Sequence, residues 1–325
     1  MYNLGIDLGG TNIAAGIVDD HYKILFKGSV PTGADRAPED IIASMAQLIQ
    51  DLLNKAGLTA DDISHTGIAT PGTANPATGT VEYANNLPFI NFPIAKILQS
   101  FVPLKNIYIE NDANAAAYGE AIAGAAKGSK NSVMITLGTG VGGGIIVNNS
   151  IFSGFNHAAG ELGHIVIEYD GYPCSCTRKG CWESYSSATA LIRMTREKIE
   201  ECEKNGRKTI MSKLVKENNG RITGRTSFDA LRQGDKAAAE VVEKYTGYLA
   251  CGLTNIINIF QPEVLCIGGG ISNEREHLIE PLIPIINKEQ YTRLQPIKTQ
   301  IKIAKLGNDA GIIGASALYQ QYERA

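Results

Sequence analysis

Glycine-rich turns that directly follow short apolar strands constrain the fold of this chain more than any other feature. Three such turns occur, and they contain Gly9, Gly10, Thr11, Gly138, Thr139, Gly140, Gly268, Gly269 and Gly270. Glycine lets backbone N–H groups approach an anion closely, and threonine adds a hydroxyl donor. One such turn is also typical of a plain tight hairpin. Three together, two of them with threonine, favour a nucleotide held between two lobes.

The order of strand, glycine turn and strand occurs twice, which predicts two α/β domains and hints at an internal duplication. The first copy has strands near 2–8 and 13–18. The second has a strand at 132–137, a glycine-rich turn at 138–144 and a strand at 145–147. We expect a smaller N-terminal α/β lobe at 1–118, with 305–325 packing back on it. A larger lobe at 119–304 should carry much of the nucleotide site.

Helices are predicted wherever apolar residues recur at helical spacing. The segment 37–56 has this pattern and is followed by Gly57, which suits a helix C-cap. Residues 113–126 are rich in alanine, and 236–260 and 310–319 also fit helices. The polar segment 192–225 is typical of solvated helices.

Composition excludes several classes of protein. With 325 residues, 44% apolar and 19% charged, the chain is long and apolar enough to bury two cores. A net charge of −3 gives no basic surface for nucleic acid or anionic lipid. We find no secretory leader and no apolar run that would span a membrane, so we expect a cytoplasmic protein without nucleic-acid or membrane partners.

Three of the six cysteines lie within eight positions, and a histidine precedes them. Their spacing matches a closed tetrahedral site, and the ligands would be His164, Cys174, Cys176 and Cys181. Since no coordination position stays open, we expect a structural Zn²⁺. It would hold Glu161, His164 and Glu183 as a rigid group, and two carboxylates beside an imidazole can hydrogen-bond the hydroxyls of a sugar.

Asp112 stands at a junction between a predicted strand and a predicted helix. Two interpretations are open at this point. Asp112 can be a helix N-cap, which is common for aspartate in such a place. It can also be a general base, with Asn111 beside it offering a donor and an acceptor to a polar ligand.

These motifs together resemble the ROK family (repressors, open reading frames, sugar kinases), and within it the bacterial sugar kinases that act on glucose. The resemblance covers most of the chain, and it rests on Asp7-Leu8-Gly9-Gly10-Thr11, Thr70-Pro71-Gly72, Glu110-Asn111-Asp112-Ala113-Asn114-Ala115, Leu137 to Gly144, Gly160-Glu161-Leu162-Gly163-His164, the three cysteines, Ile267 to Gly270 and Asn308-Asp309-Ala310-Gly311. Two positions depart from the family pattern. Thr177 stands where the family commonly has glycine, and Trp182 where it commonly has leucine.

The resemblance implies an actin/hexokinase-like, ribonuclease-H-like fold with two lobes, a central cleft and a zinc-stabilised loop. It implies ATP-dependent phosphorylation of a hexose at the 6-hydroxyl, with D-glucose as the expected substrate and Mg²⁺ as a cofactor. Asp112 matches the catalytic base, and Asp7 matches the residue that organises Mg²⁺. Residues expected to contact the sugar are Gly72, Asn111, Asp112, Glu161, His164 and Glu183. The glycine turns at 9–11 and 138–140 would meet the phosphates, and the turn at 268–270 the adenosine.

Other functions stay open. A kinase of the same family could act on fructose, N-acetylmannosamine or allose. A sugar-responsive repressor would carry a DNA-binding module before the first strand, and we expect none because Asp7 already lies in that strand. A chaperone or filament protein of the same fold would not need the cysteine cluster. A homo-oligomer, either a dimer or a tetramer, is expected.

Overall fold

The computed structural model describes residues 1–323, which form a mixed α/β structure. The strands are β1 (Tyr2–Leu8), β2 (Asn12–Val18), β3 (Ile24–Pro31), β4 (Ile63–Thr70), β5 (Thr73–Asn75), β6 (Thr80–Tyr83), β7 (Ile90–Phe92), β8 (Ile107–Asn111), β9 (Ser132–Leu137), β10 (Val141–Val147), β11 (Ser150–Ile151), β12 (Val264–Gly268) and β13 (Gln300–Ile303). The helices are α1 (Pro38–Ala56), α2 (Ile94–Phe101), α3 (Asp112–Ile122), α4 (Glu183–Ser186), α5 (Ala188–Lys204), α6 (Ile210–Glu217), α7 (Thr226–Leu231), α8 (Lys236–Phe260), α9 (Glu276–Glu289), α10 (Ala310–Ser316) and α11 (Tyr319–Tyr322).

Two five-stranded sheets share one strand order. The first runs β3-β2-β1-β4-β8, and the second runs β11-β10-β9-β12-β13. In the first, β1 pairs with β2 antiparallel and with β4 parallel, and in the second, β12 and β13 are parallel. The repeated order agrees with the internal duplication suggested by the glycine turns.

The chain divides into two compact units. The first contains residues 1–134, 144–160 and 304 onward, and the second contains 135–143 and 161–303. The first unit therefore includes 119–134 and 144–160, which we predicted in the larger lobe. Contacts with Gln321 attach the β10–β11 hairpin to the first unit: the Ile151 N–H donates to the Gln321 Oε1 at 3.0 Å, and the Gln321 Nε2 donates to the Asn149 carbonyl at 3.2 Å.

Helix α1 supplies much of the apolar core of the first unit. Its buried stripe includes Ile41, Met45 and Ile49, and its C-cap Gly57 has φ of 68°, a left-handed conformation in which glycine carries little strain. Helix α10 packs closely on β1 and β4. A Cβ on Gly67 of β4 would lie 1.8 Å from the Ala315 carbonyl oxygen, so only glycine permits this approach.

Several local predictions need correction. Strand β10 begins at Val141, so Gly142 to Gly144 lie in a strand and not in a turn. A Cβ on Gly144 would lie 2.5 Å from the Ala113 carbonyl oxygen, so this glycine serves close packing. Helix α3 ends at Ile122, four residues earlier than predicted. The small sheet β5-β6-β7, α2 and α9 were not predicted. None of the helices within residues 1–323 is long and apolar enough to cross a membrane.

Candidate functional site

Asp112 is the first residue of α3, but the cap of that helix is Asn111. The Asn111 Oδ1 accepts hydrogen bonds from the backbone N–H groups of Ala113 at 2.9 Å and Asn114 at 3.2 Å. The Asp112 Oδ1 accepts the Ala113 N–H at 2.8 Å. Among residues 1–323, no other residue forms a hydrogen bond with the Asp112 Oδ2. The capping interpretation therefore applies to Asn111, and one carboxylate oxygen of Asp112 is left for a ligand.

Burial raises the pKa of Asp112, and the Ala113 peptide N–H opposes this shift. Asp7, at the end of β1, is also largely buried. Its burial, together with the charge on Asp112, raises the pKa of Asp7 to about 6. A hard cation beside these two carboxylates would favour their charged forms, and Mg²⁺ prefers oxygen ligands. The donor chemistry of this pair therefore fits Mg²⁺.

The turn at Gly9 to Thr11 joins β1 to β2, and it is fixed by backbone contacts. The Gly9 N–H donates to the Asn12 carbonyl at 2.9 Å, and the Thr32 hydroxyl donates to the Gly9 carbonyl at 2.6 Å. Thr32 is fully buried, and our sequence analysis missed it because it stands 21 residues beyond the turn. Beside this turn lies a cavity of about 540 Å³ lined by Asp7, Gly9, Asn12, Ala14, Lys27, Gly28, Ser29, Asn308, Asp309 and Ile312.

Gly72 lies next to Asn111 in the first unit. Its carbonyl accepts a hydrogen bond of 3.0 Å from the Asn111 Nδ2. Since the Asn111 Oδ1 caps α3, one amide N–H of Asn111 is the group left for a ligand. The first unit thus brings together Asp7, Gly72, Asn111 and Asp112 on the ends of β1, β4 and β8.

The histidine and the three cysteines converge in the second unit. Their ligand atoms, one from each of His164, Cys174, Cys176 and Cys181, all lie within 4.8 Å of one another. The Cys176 and Cys181 sulfurs are 3.6 Å apart, and the Cys174 sulfur is 3.5 Å from the His164 Nδ1. Tetrahedral zinc with Zn–S distances of about 2.3 Å would separate two sulfurs by about 3.8 Å. The donor set and its spacing therefore fit Zn²⁺.

Thr177, one of the two departures from the family pattern, lies in a turn of the loop that carries the cysteines. Thr177 has φ of 72°, and its N–H donates to the Cys174 carbonyl at 3.1 Å. A β-branched residue rarely adopts this left-handed conformation, whereas glycine does so freely. The cysteine loop therefore forms this turn with Thr177 in place of glycine, and the backbone at Thr177 is strained.

Three polar side chains surround the cysteine cluster, as the sequence suggested. The His164 Nε2, on the side of the ring away from the sulfurs, lies 3.9 Å from the Glu161 Oε2, and Glu161 is exposed. The Glu183 Oε2 accepts the Val141 N–H at 3.0 Å, and its Oε1 accepts the Ser175 hydroxyl at 3.3 Å. Glu183 therefore connects the glycine turn at 138–140 to the cysteine loop, which sequence reasoning did not foresee.

The two glycine turns of the second unit are held by neighbours that the sequence did not reveal. The Ala188 N–H donates to the Gly138 carbonyl and the Thr189 hydroxyl to the Thr139 carbonyl, both at 2.8 Å. In the other turn, the Ser272 hydroxyl donates to the Gly269 carbonyl at 2.7 Å.

A cavity of about 440 Å³ lies beside the turn at 138–140. It is lined by Thr139, Gly140, Pro173, Cys174, Ser175, Glu183, Ser184, Ser187, Thr189, Ala190 and Arg193. The guanidinium of Arg193 lies 3.6 Å from the ring centre of Tyr172 and donates to the Ser184 carbonyl. Arg193 is a cation that sequence reasoning missed, since nothing in the polar pattern of α5 distinguishes it.

Comparisons with known proteins agree on one family. The model of the ROK family matches residues 3–322. The glucokinase of Halalkalibacterium halodurans is 34% identical over 323 residues, which cover 99% of this chain and 96% of that protein. The xylose repressor of Caldicellulosiruptor bescii is 30% identical over 97% of this chain and 77% of its own length.

A solved structure of a similar protein supports the same family. The ROK family glucokinase from Streptomyces griseus, crystallised with glucose and AMPPNP, superposes with a TM-score of 0.81 and is 33% identical, covering 99% of this chain and 100% of that one. The prediction made from the motifs is confirmed: the chain belongs to the ROK family.

Proposed function

We propose that this chain is a sugar kinase that transfers the γ-phosphoryl group of ATP to the 6-hydroxyl of D-glucose. The observation that carries the proposal is Asp112, a largely buried carboxylate at the start of α3, which Asn111 caps in its place. The similarity to glucokinases over nearly the whole length supports the same activity.

Asp112 acts as the general base. Its Oδ2 accepts the proton of the 6-hydroxyl while the hydroxyl oxygen forms a bond to the γ-phosphorus. The bond from the γ-phosphorus to the bridging oxygen breaks, and ADP leaves. Because burial raises the pKa of Asp112, this carboxylate is a stronger base than an exposed aspartate.

Phosphoryl transfer requires mainly positioning and charge neutralisation from the protein. Bound Mg²⁺ would neutralise phosphate charge, and Asp7 is the residue that would hold it, through water. The phosphates contact the turns at 9–11 and 138–140, and the adenosine contacts the turn at 268–270.

The sugar is recognised by hydrogen bonds to its hydroxyls. Glu161, the His164 Nε2 and Glu183 bind the hydroxyls remote from the transfer site, while Asn111 and Gly72 bind near the reacting end. Zn²⁺ bound to His164 and the three cysteines would fix these side chains, and it supplies structural rigidity only. Because the Glu183 carboxylate also holds the Val141 N–H, sugar recognition and the glycine turn share one residue.

The decisive experiment is Asp112→Asn. This change keeps the hydrogen-bonding shape and removes proton acceptance, so we expect kcat to fall by at least about 100-fold while glucose affinity stays within roughly tenfold. A matched control is Asp235→Asn, because Asp235 caps α8 and therefore tests the loss of a carboxylate at a helix start. Calorimetry measures the affinity and a coupled assay the rate. A near-normal kcat for Asp112→Asn would refute the assignment of the base.

The choice of glucose is tested by kcat/KM across glucose, mannose, fructose, allose, N-acetylglucosamine and N-acetylmannosamine. Buried polar groups without a partner cost about 1–3 kcal/mol each, so a sugar lacking or inverting one hydroxyl should lose roughly tenfold to a few hundredfold. A preference of more than about tenfold for fructose or an N-acetylated sugar would refute the substrate and leave the kinase intact.

A sugar-binding regulator is the second candidate, and the identity to a xylose repressor favours it. It would bind a sugar without turnover of ATP, so the same assay distinguishes the two. We further propose a cytoplasmic homo-oligomer, which cell fractionation and light scattering test.

A further inference from the structure

A buried carboxylate lies directly before Asn111 and is used by no step of the proposed reaction. Glu110, in β8, is 1% exposed. No cationic side chain of residues 1–323 pairs with it. Its Oε1 accepts hydrogen bonds from the Asn111 N–H at 2.7 Å and from the Asn114 side-chain amide at 3.1 Å. Its Oε2 accepts the Tyr322 hydroxyl at 2.5 Å.

The two residues bound by the Glu110 Oε1 flank Asp112 in the chain. Asn111 precedes Asp112, and Asn114 follows two positions later. Glu110 therefore ties the end of β8 to the first turn of α3, which is the stretch of backbone that carries Asp112. A catalytic group must be held within a fraction of an ångström of its productive place, and such contacts hold it.

Tyr322 belongs to α11, and it lies 212 positions away from Glu110 in sequence. Burial, followed by the charge on Glu110, raises the pKa of Tyr322, so its hydroxyl stays protonated and donates. Other contacts attach the same segment. Tyr108 donates to Glu323 at 2.6 Å, and the ring of Tyr319 stacks on His65 with centroids 4.0 Å apart. Helix α11 therefore does not depend on the Tyr322 hydroxyl for its attachment.

We propose that Glu110 and Tyr322 are positioning residues for Asp112, so that the C-terminal helix sets the geometry of the base. This inference rests on the proposed function, in which Asp112 accepts the proton. Without the Tyr322 hydroxyl, the Glu110 Oε2 becomes a buried acceptor with no partner. The Glu110 side chain then rotates toward another hydrogen-bond donor. Its hydrogen bonds to the Asn111 N–H and the Asn114 side-chain amide weaken as a result.

The test is Tyr322→Phe in two backgrounds, the natural chain and Asp112→Asn. In the natural chain we expect kcat to fall by roughly threefold to thirtyfold, with KM for glucose and ATP changed by less than about twofold. In the Asp112→Asn background we expect kcat to change by less than about twofold, because Tyr322 acts through a carboxylate that is no longer there. A merely structural role would lower kcat by the same factor in both backgrounds.

Two further variants keep the inference falsifiable. Tyr108→Phe is the matched control, because it removes a tyrosine hydroxyl of β8 that attaches the same C-terminal segment through Glu323 without touching Glu110, and it should keep kcat. Glu110→Gln preserves the acceptor for Asn111 and Asn114, and its amide can donate to the Tyr322 hydroxyl oxygen. It should therefore keep kcat within about threefold, whereas Glu110→Ala should lower it at least as much as Tyr322→Phe.

Equal losses of kcat in both backgrounds, or an unchanged kcat for Tyr322→Phe in the natural chain, would overturn the inference. So would a loss for Tyr108→Phe as large as that for Tyr322→Phe. Failure of the natural chain to phosphorylate any sugar would instead refute the proposed function, and the two failures are therefore distinguishable.

Discussion

A glycine in α8 makes room for the tryptophan that precedes Glu183, and its replacement by alanine should destabilise the second unit. Trp182 is fully buried, and its indole N–H donates to the Tyr248 carbonyl at 3.0 Å. A Cβ on Gly252 would lie 2.0 Å from the ring carbon Cε2. The ring cannot simply move, because its neighbours in sequence are Cys181, in the histidine–cysteine cluster, and Glu183.

Two opposing effects set the magnitude for Gly252→Ala. Alanine is favoured over glycine within a helix by about 1 kcal/mol. Overpacking a dense core costs about 1–3 kcal/mol, and a contact of 2.0 Å with a rigid fused ring belongs at the upper end or beyond. We therefore expect a net loss of about 2 kcal/mol in the free energy of unfolding of this unit.

Trp182→Leu introduces the residue that is common in the family. Alone it should cost about 2–4 kcal/mol, because it leaves a cavity and removes the donor to the Tyr248 carbonyl. In the double variant Gly252→Ala with Trp182→Leu, the new methyl group fills part of that cavity. The two changes should compensate each other by roughly 2 kcal/mol.

Denaturant unfolding of the four proteins, each saturated with Zn²⁺, measures this coupling. Competition with a chelator should show weaker zinc binding for Gly252→Ala, since displacement of Trp182 moves Cys181. Additive effects, or a Gly252→Ala variant as stable as the natural chain, would refute the claim that Gly252 and Trp182 are matched.

Three further predictions concern the cysteine loop and the base. Thr177→Gly should stabilise the protein by about 0.5–1 kcal/mol, because glycine removes the backbone strain of a β-branched residue in the left-handed conformation. Part of this gain is lost because glycine makes the unfolded chain more flexible. Thermal unfolding measures the effect, and a lower melting temperature would contradict it. Cys176→Ser should lose the roughly one Zn²⁺ per chain and the activity, while Cys251→Ser, outside the cluster, keeps both; elemental analysis that finds no zinc in active natural protein would exclude the site. Asp112 must be ionised to accept the proton, and burial raises its pKa above the ordinary 3.8. We therefore expect kcat/KM for glucose to rise with pH, with the midpoint of the rise above 3.8. A midpoint at the ordinary pKa in the measured pH profile would contradict the burial argument.

Local patterns in the sequence determined much of the scaffold. The spacing of apolar residues predicted β1 and β9 at their observed bounds and the full length of α8, because each is a long or sharply bounded periodic segment. The close spacing of the three cysteines predicted their convergence with His164, since a short loop restricts how far apart the ligands can lie. By contrast, β5 and β7 were missed, because strands of three residues carry almost no periodicity.

The tertiary structure determined which hydrogen-bond partners the polar side chains have. Sequence could not choose between a cap and a base for Asp112, because both roles place aspartate at the same position; the structure assigns the cap of α3 to Asn111, and the base stays a proposal. Sequence also gave no sign that Glu183 holds the Val141 N–H, or that Tyr322 reaches Glu110. Apolar periodicity depends only on residues close together in the chain, so the sequence is enough to identify it. A hydrogen bond between residues 42 or 212 positions apart exists only once strands and helices have packed, and the sequence pattern does not record such partners.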